Sequence, residues 1–435
     1  MIKRISITSL YGDSEKNYNI NLDRPVTILT GKNGSGKTTI LKIINELSNG
    51  RLFFLNEYKF QRIECEFDDR ILEIKAKPDA ENGYQIREKL KGKKFTEVNV
   101  ADLDEFIDSI PSSILGSIED EIEELDQMAT RRWRNIETGE RYDAKEVVLK
   151  YFQRTKILKE YLTTSGKIGS LSKEKSKFIQ TGRLTKKIQY ERHPKYRTRE
   201  ATATAIEECA DKLRDLIKSE TSRYLSESQA IDSAFPKRLI KNDLNEISIQ
   251  ELKKIEQQLE EMRASLKAVG LLDTFEIFNI NKTDKLKMQV LHLYYRDSID
   301  KLRYLESIQK RLSLFVSLAN EKFEPQKRIN ISPIKGFTIY GGADFDDPIN
   351  LEWLSSGEQH ELVMLYEVIF EVSDNSLTLI DEPEISLHID WQRRYLDDLN
   401  KIQNFSEGRQ FIIATHSPAI IGKFRAYCEE VGPEE

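Results

Sequence analysis

The stretch Gly31-Lys32-Asn33-Gly34-Ser35-Gly36-Lys37-Thr38 follows the apolar run Val26-Thr27-Ile28-Leu29. Its spacing is glycine, four residues, glycine, lysine and then a hydroxyl residue, a pattern whose chemistry is phosphate binding. Gly31, Gly34 and Gly36 let the backbone turn tightly enough for successive N–H groups to converge on one point. A helix expected over Lys37–Leu47 aims its positive end at that point. Lys37 is then placed to reach the β- and γ-phosphates, and the Thr38 hydroxyl to ligate Mg²⁺. Asn33, Ser35 and Thr39 complete the residues expected around the nucleotide. A glycine-rich turn that binds nothing is the bland alternative; a strand before it and a helix after it weigh against that.

A second group of reactive residues lies near the C-terminus. Ser376-Leu377-Thr378-Leu379-Ile380 reads as a buried strand, and it ends in Asp381-Glu382-Pro383-Glu384. A carboxylate at a strand end beside the phosphate loop can hold Mg²⁺ through a water, which assigns Asp381, and Glu382 lies where it could polarise an attacking water. A further apolar strand, Phe411-Ile412-Ile413-Ala414-Thr415, ends at His416. A lone histidine is more often structural, but this order would place His416 beside a γ-phosphate. Leu354-Ser355-Ser356-Gly357-Glu358-Gln359 precedes an amphipathic helix over Glu361–Glu371. Any helix cap could produce that motif, since serine is a good N-cap. Its N–H-rich turn over Ser355–Gly357 is nonetheless an anion site that needs a phosphate from elsewhere.

The 435 residues imply two or three structural units with ample core. Charged residues make up 32% and the net charge is −6, so any nucleic-acid contact must come from a local patch. Cys65, Cys209 and Cys428 lie far apart without a Cys-x-x-Cys pair, which suits a reducing compartment and no disulfide framework. No apolar stretch of signal-peptide length opens the chain, and none reaches the roughly 18 residues of a membrane span. A cytoplasmic protein without membrane contact is expected.

Residues 1–30 alternate as strands, at Ile2, Ile5 and Ile7 and again at Tyr18, Ile20 and Leu22. Phe53–Tyr58, Arg62–Phe67 and Ile71–Lys75 read as further strands. From about residue 85 the pattern changes. Asn99–Gln127 holds ten acidic residues and no Lys or Arg, which reads as a solvated acidic helix pair or a partner-docking surface. Leu171–Arg199 holds ten Lys or Arg against two Glu, interleaved with Phe178, Tyr190 and Tyr196. That mixture suits nucleic-acid contact, with a solvated basic loop as the alternative. Long helices are expected over Thr202–Leu225, Ser248–Ala268 and Thr283–Phe323, the last about 60 Å long. Strands resume at Ile329–Ile331 and Gly336–Tyr340, with a break at Pro333.

Taken in order, phosphate loop, Leu-Ser-Ser-Gly-Glu, Asp-Glu-Pro and Thr-His resemble the ABC-class ATPases of the SMC/RecF/OLD group. Leu354-Ser-Ser-Gly-Glu-Gln-His-Glu-Leu, Asp381-Glu-Pro-Glu-Ile-Ser-Leu-His and Ala414-Thr-His-Ser-Pro-Ala-Ile-Ile look closest to stand-alone OLD-like "AAA family" ATPases of anti-phage systems such as Septu, PARIS and some retrons. The resemblance covers about residues 1–80 and 328–425. It implies an α/β, ABC-type ATPase head with a mixed sheet, split by a long, mainly α-helical insert forming an arm or coiled-coil-like hairpin. The expected division is residues 1–85 as lobe I, 86–327 as insert and 328–435 as lobe II, with the signature at 354–359, the magnesium-binding strand at 377–382 and the switch histidine at 416.

It further implies ATP and Mg²⁺ as cofactors, Thr38 and Asp381 as metal ligands, and Glu382 and His416 as catalytic groups. Ser355, Ser356, Gly357 and Glu358 would bind ATP held by a partner copy, giving a homodimer or higher homo-oligomer with ATP sandwiched between heads. The family function is an ATP-driven switch that controls a separate effector, an HNH or Toprim nuclease; the chain extends about 17 residues past Pro418, too few for a Toprim domain of its own. A RecF- or SMC-like DNA-clamping ATPase is the alternative. A transporter subunit fits poorly, because about 250 residues separate the two lobes. His388 stands where transporter-type ATPases carry an aspartate, Gln61 is a guess for the Mg²⁺-sensing glutamine, and the insert has no Cys-x-x-Cys hook.

Overall fold

The structure, a computed structural model, describes residues 1–52, 55, 58–76, 84–97, 107–122, 124–136, 138–151, 155, 157–158, 161, 176–180, 204–240, 247–272, 285–342, 347–405 and 408–432. The first stretch carries β1 (Ile2–Thr8), β2 (Tyr18–Asn21), β3 (Val26–Thr30), α1 (Lys37–Ser48), β4 (Arg62–Phe67), β5 (Arg70–Ala76), β6 (Tyr84–Leu90) and β7 (Thr96–Glu97). It continues through β8 (Leu125–Ala129), β9 (Arg132–Asn135), β10 (Arg141–Asp143), α2 (Ala144–Tyr151) and β11 (Ser176–Ile179). Next come α3 (Ala205–Ile240), α4 (Ile249–Ala268), α5 (Lys285–Arg303), α6 (Glu306–Phe323), β12 (Lys327–Ser332), β13 (Gly336–Gly341), β14 (Asp347–Ile349) and α7 (Ser356–Tyr366). The last stretch holds β15 (Leu377–Asp381), α8 (Ile389–Phe405), β16 (Gln410–Ala414) and β17 (Cys428–Glu430).

These elements form an α/β protein of two compact units. One comprises the described residues within Met1–Gly182 and Val372–Glu435, the other those within Thr202–Glu371. The unit boundary after Glu371 differs from the lobe boundary expected at 327/328. The Ser355–Glu358 turn therefore belongs to the helical unit, whereas Asp381, Glu382 and His416 share a unit with the phosphate loop. Among the described residues no helix is long and apolar enough to cross a membrane.

In the first unit, β3, β15 and β16 are short runs of continuous apolar residues, the composition of strands covered on both faces. They form the centre of a five-stranded parallel sheet in the order β11-β15-β16-β3-β17. Leu29, Leu377, Leu379, Ile412 and Ala414 join one apolar cluster; the alternate residues Ile28, Ile380, Phe411 and Ile413 are also fully buried. The same cluster contains Ile40, Leu41, Ile43, Ile44 and Leu47 of α1, and Ile5, Ile63, Ile74 and Ile86 of a six-stranded antiparallel sheet in the order β2-β1-β4-β5-β6-β7. α1 thus turns one apolar face, Ile40, Leu41, Ile43, Ile44 and Leu47, to that cluster.

Gln410 stitches the two sheets together. Its side-chain amide donates to the carbonyls of Ile2 (2.8 Å) and Leu22 (2.6 Å), and its side-chain oxygen accepts from the Ile2 N–H (3.2 Å).

Several segments differ from the sequence expectation. Among the described residues the acidic stretch holds short helical pieces, at 107–109, Ser112–Gly116 and Ile118–Glu121, before its chain enters β8. With β9, β10 and α2 these residues close over the fully buried Trp133, so the apolar residues at helical spacing serve a small separate core. Strand pairing also continues past residue 85, into β6 and β7. Of the basic stretch, only residues 176–180 are described. There Ser176–Ile179 form the edge strand β11, in register with Leu377–Ile380, and Phe178 packs on the core cluster. Phe178 is consequently a core residue, not a free aromatic for stacking on bases. Lys186, Lys187, Arg192, Lys195, Arg197 and Arg199 lie outside the described residues.

In the second unit the single helix expected over 283–323 is two, α5 and α6, separated at Tyr304–Leu305. The break lets them take different neighbours: α5 packs on α4 and α3, and α6 packs on β12 and α7. α3 runs on to Ile240 instead of ending near Leu225. Leu252, Leu259 and Leu266 form the buried seam of α4 at heptad spacing.

Replacing Gln410 by alanine would take the buried Ile2 N–H from its partner and remove one hydrogen bond each from the Ile2 and Leu22 carbonyls, the latter keeping that of the Arg24 N–H (2.7 Å). Gln410→Ala is expected to lower unfolding stability by about 3 kcal/mol, since each unsatisfied buried group costs roughly 1–3 kcal/mol. Urea titration of the two proteins reads the difference.

Candidate nucleotide site

The carboxyl ends of β3, β15 and β16 lie side by side, because Asp381 pairs with Ala414 and Ala414 with Leu29. Ligands of open parallel sheets bind at that edge, where loops leave the strands and helix N-termini face them. Here the chain leaves β3 into residues 31–36 and turns into α1.

Glycine is required twice in that turn. Gly31 has φ of +151°, and a Cβ there would stand 2.3 Å from the Val431 carbonyl oxygen. Gly36, the N-cap of α1, has φ of +100° and lies against the Tyr18 hydroxyl, 3.3 Å from where its Cβ would be. That hydroxyl donates to the Ser35 carbonyl at 2.8 Å and braces the loop from beneath. Tyr18 belongs to the apolar alternation of β2, so its ring fills core while its polar tip does this second job.

Lys37 is only 5% exposed. Its ammonium folds back to donate to the carbonyls of Gly31 (3.0 Å) and Lys32 (3.1 Å). Burial lowers the Lys37 pKa, against the opposing pull of the Glu382, Asp381 and Glu384 carboxylates. The next side chain, Thr38, donates from its hydroxyl to both oxygens of Asp381, each at 3.0 Å. Asp381 is buried, and burial raises its pKa, with the Thr38 hydroxyl acting the other way and the Glu382 carboxylate adding to the rise.

This donor set fits magnesium. Hard oxygens from a threonine and an aspartate converge at the mouth of a phosphate loop. Among the described residues no group of three or more His, Cys, Asp and Glu could hold a metal unaided. Mg²⁺ delivered with nucleotide phosphates needs only one or two protein oxygens.

Glu382 follows at φ of +43°, a left-handed conformation that costs an L-residue about 1–2 kcal/mol. Its N–H donates to the Ala414 carbonyl at 2.8 Å, so the strained turn is held by the neighbouring strand. Glu384, which the sequence placed in the motif without a task, supplies the second tie. Its carboxylate accepts from the Thr415 hydroxyl (2.8 Å) and from the His416 N–H (2.7 Å). The acidic turn and the histidine turn are therefore one hydrogen-bonded piece. The signal that could have revealed Glu384 was its spacing, two residues past a strained turn and level with a strand tip.

Gly31, Asn33, Gly34, Ser35, Gly36, Lys37, Thr38, Thr39, Asp381, Glu382 and His416 all belong to this one unit. Ser355, Ser356, Gly357 and Glu358 belong to the other. There Ser355 caps α7 in a capping box: its hydroxyl accepts from the Glu358 N–H, and the Glu358 carboxylate accepts from the Ser355 N–H at 2.8 Å. Lys327 donates to both Glu358 oxygens at 2.6 and 2.8 Å, and the nearest cause lowering the Glu358 pKa against burial is that lysine. Glu358 thus holds the turn in shape. Lys322 and Glu361 form a second, fully buried ion pair with α7. The amphipathic helix expected over Glu361–Glu371 is α7 plus a π-helical turn at Glu367–Glu371.

Chemically, the first unit offers a cradle of N–H groups, one buried cation, a hard-oxygen corner and a carboxylate beside it, the requirements of triphosphate binding and cleavage. Lys37→Ala is expected to weaken nucleotide binding at least about tenfold through the lost charge-assisted bonds, read by calorimetry. Asp381 gives a stability signature with a definite sign. Its folded pKa lies above the unfolded 3.8, so stability falls as pH rises from that value through the folded one, and the cost persists at neutral pH. Asp381→Asn should therefore raise the melting temperature of the nucleotide-free protein at pH 7 while turnover is lost. A lowered midpoint would contradict this account.

Comparison with known proteins agrees with this chemistry. A family model described as an AAA ATPase domain matches residues 1–421. No curated protein matches the chain. Among solved structures it is similar to an Smc head domain with an extended coiled coil, bound to the C-terminal domain of ScpA and derived from Pyrococcus furiosus. That likeness has 14% identity and a TM-score of 0.37, covering 100% of this chain and 94% of the other. It is also similar to an SmcHead bound to the C-winged helix domain of ScpA, with 12% identity, a TM-score of 0.36, and coverage of 97% and 91%. Both scores are too low to establish a shared fold. With nearly the whole chain matched by the family model, and with the triphosphate chemistry gathered at its sheet edge, the protein belongs to the AAA ATPase domain family and is an ATPase.

Proposed function

We propose that this ATPase is an ATP-driven switch of the ABC class, working through paired heads. The observation that carries the catalytic half is the corner formed by Lys37, Thr38 and Asp381 beside the strained Glu382 turn. Thr38 and Asp381 would hold Mg²⁺, which supplies charge neutralisation on the phosphate oxygens. Lys37 neutralises the β/γ-phosphate charge, and Glu382 accepts the proton of the attacking water. Glu384 fixes the His416 backbone, so that its imidazole meets the γ-phosphate from the strand tip. Gly31, Asn33, Gly34, Ser35, Gly36 and Thr39 complete the cradle.

Support for the pairing half is the Ser355 turn. A helix start leaves its first N–H groups without intrahelical partners. Here the cap satisfies that of Glu358, and the rest of the helix start is where an anion would be met. A triphosphate held by a second copy supplies that anion. ATP then adds contacts only to the paired state and shifts the population towards it.

The switch controls a separate effector, a nuclease or toxin, in a bacterial antiviral complex in the cytoplasm. Support for that finer reading is the resemblance of the Leu354, Asp381 and Ala414 phrases to OLD-like ATPases. A nuclease gene beside this one favours it; replication genes there favour a DNA-clamping role.

Glu382→Gln tests the switch. Glutamine keeps the size of the side chain but cannot take the proton, so ATP binds, the heads pair and the pair persists. Light scattering should show a doubled mass with ATP and not without it, and Ser355→Arg in the same background should abolish the doubling. An identical mass in both conditions would sink the pairing.

A further inference from the structure

The loop from Glu382 to His388 joins β15 to α8, and two of its residues, Glu382 and Ser386, hold left-handed φ of 43° and 66°. A backbone of that kind persists only where its surroundings over-determine it. At the strand tips Glu384 supplies the hold. Further out it comes from Gln392, on the first turn of α8. The side-chain amide of Gln392 donates to the carbonyls of Leu387 (3.0 Å) and Glu384 (3.4 Å). Its side-chain oxygen accepts from the Ser417 hydroxyl at 2.6 Å. One side chain thus grips both loops, the one that carries Glu382 and the one that carries His416.

The grip closes a ring of hydrogen bonds. The Ser417 N–H donates to the Thr415 hydroxyl (3.0 Å), and that hydroxyl donates to the Glu384 carboxylate (2.8 Å). The Glu384 carbonyl, in turn, accepts from Gln392. His416 lies inside the ring, with its own N–H on the Glu384 carboxylate and a ring member on either side of it in sequence. The Ser417 hydroxyl also accepts from the Ala419 (3.2 Å) and Ile420 (3.4 Å) N–H groups, so it starts the short helix Pro418–Ile421 beyond the histidine. Glutamine suits position 392 because an amide carries donors and an acceptor on one planar fork. An ionised glutamate there could not donate, and it would add charge to an edge that already holds Asp381, Glu382 and Glu384.

We propose that Gln392 is a positioning residue of ATP hydrolysis, spacing the two loops so that Glu382 and His416 meet the γ-phosphate together. The inference rests on the roles given to Glu382 and His416 above and adds the residue that sets the distance between them. Lys37, Thr38 and Asp381 keep their own hydrogen bonds without Gln392, so phosphate and metal binding should survive its loss while turnover does not. Steady-state ATP turnover and calorimetry with ADP and Mg²⁺, both on the full chain, read that split. Gln392→Ala is expected to lower kcat about 10- to 100-fold, the effect of a misplacement near 1 Å, with KM and ADP affinity within about threefold of wild type. Gln392→Met keeps the length and bulk of the side chain without its hydrogen bonds, and it should be as slow. The proposal is overturned if Gln392→Met keeps a kcat within about twofold of wild type, or if ADP affinity falls as far as the rate, which would make Gln392 a brace for binding. A rate loss matched by a loss of ADP sites overturns it too, since misfolding alone gives that result. Failure of the parent reading looks different: Glu382→Gln and His416→Ala would then turn over as wild type does, and the positioning role falls with them.

Discussion

The bond between the Thr38 hydroxyl and the Asp381 carboxylate joins residues 343 apart in sequence, and the rest of the first unit is arranged to make it possible. Asp381 is level with Ala414 and Ala414 with Leu29, so a slip of one residue in either pairing would turn Asp381 to the opposite face of the sheet. Apolar cover on both faces resists such a slip. Gln410, at the other end of β16, pins the same strand to β1 and to the loop after β2. Register, and with it the metal corner, is therefore set by burial at one end of the strand and by amide hydrogen bonds at the other.

The corner is electrostatically unfavourable without its ligand. Asp381, Glu382 and Glu384 crowd one edge, Lys37 is buried against them, and Glu382 is held at positive φ. Such a site trades stability of the empty protein for charges and dipoles already in place when phosphate arrives. The cost is contained by short ties: Glu382 to Ala414 through its backbone, and Glu384 to Thr415 and His416 through its side chain.

The second unit treats its Ser355 turn differently. Ser355 and Glu358 satisfy each other, and Lys327 neutralises Glu358 from the start of β12. The buried pair of Lys322 and Glu361 ties α6 to the same helix, so two lysines near the end of the helical segment grip two glutamates of α7. Breaking either pair would leave a charge behind, in the buried case an expensive one. The turn is rigid before any anion reaches it.

By itself the sequence determined the phosphate loop, the two acidic-tipped and histidine-tipped strands, and the capped helix start at Ser355. Each follows from local rules: glycine where φ must be positive, a continuous apolar run for a strand buried on both sides, serine ahead of a helix. Tertiary structure decided what those rules do not reach. Ser176–Ile179 sit among lysines and read as part of a basic stretch, yet they pair with β15 and lay Phe178 on the core, because the free β15 edge and the α1 residues Asn45 and Asn49 offer partners from distant sequence. The helix over 283–323 breaks at Leu305 because its two halves find different neighbours, which no periodicity announces. Glu384 had no legible task either, since it acts through hydrogen bonds to residues brought near only by the fold. Pattern fixes what a segment prefers alone, whereas pairing and hydrogen-bond satisfaction are settled by which segments share one core.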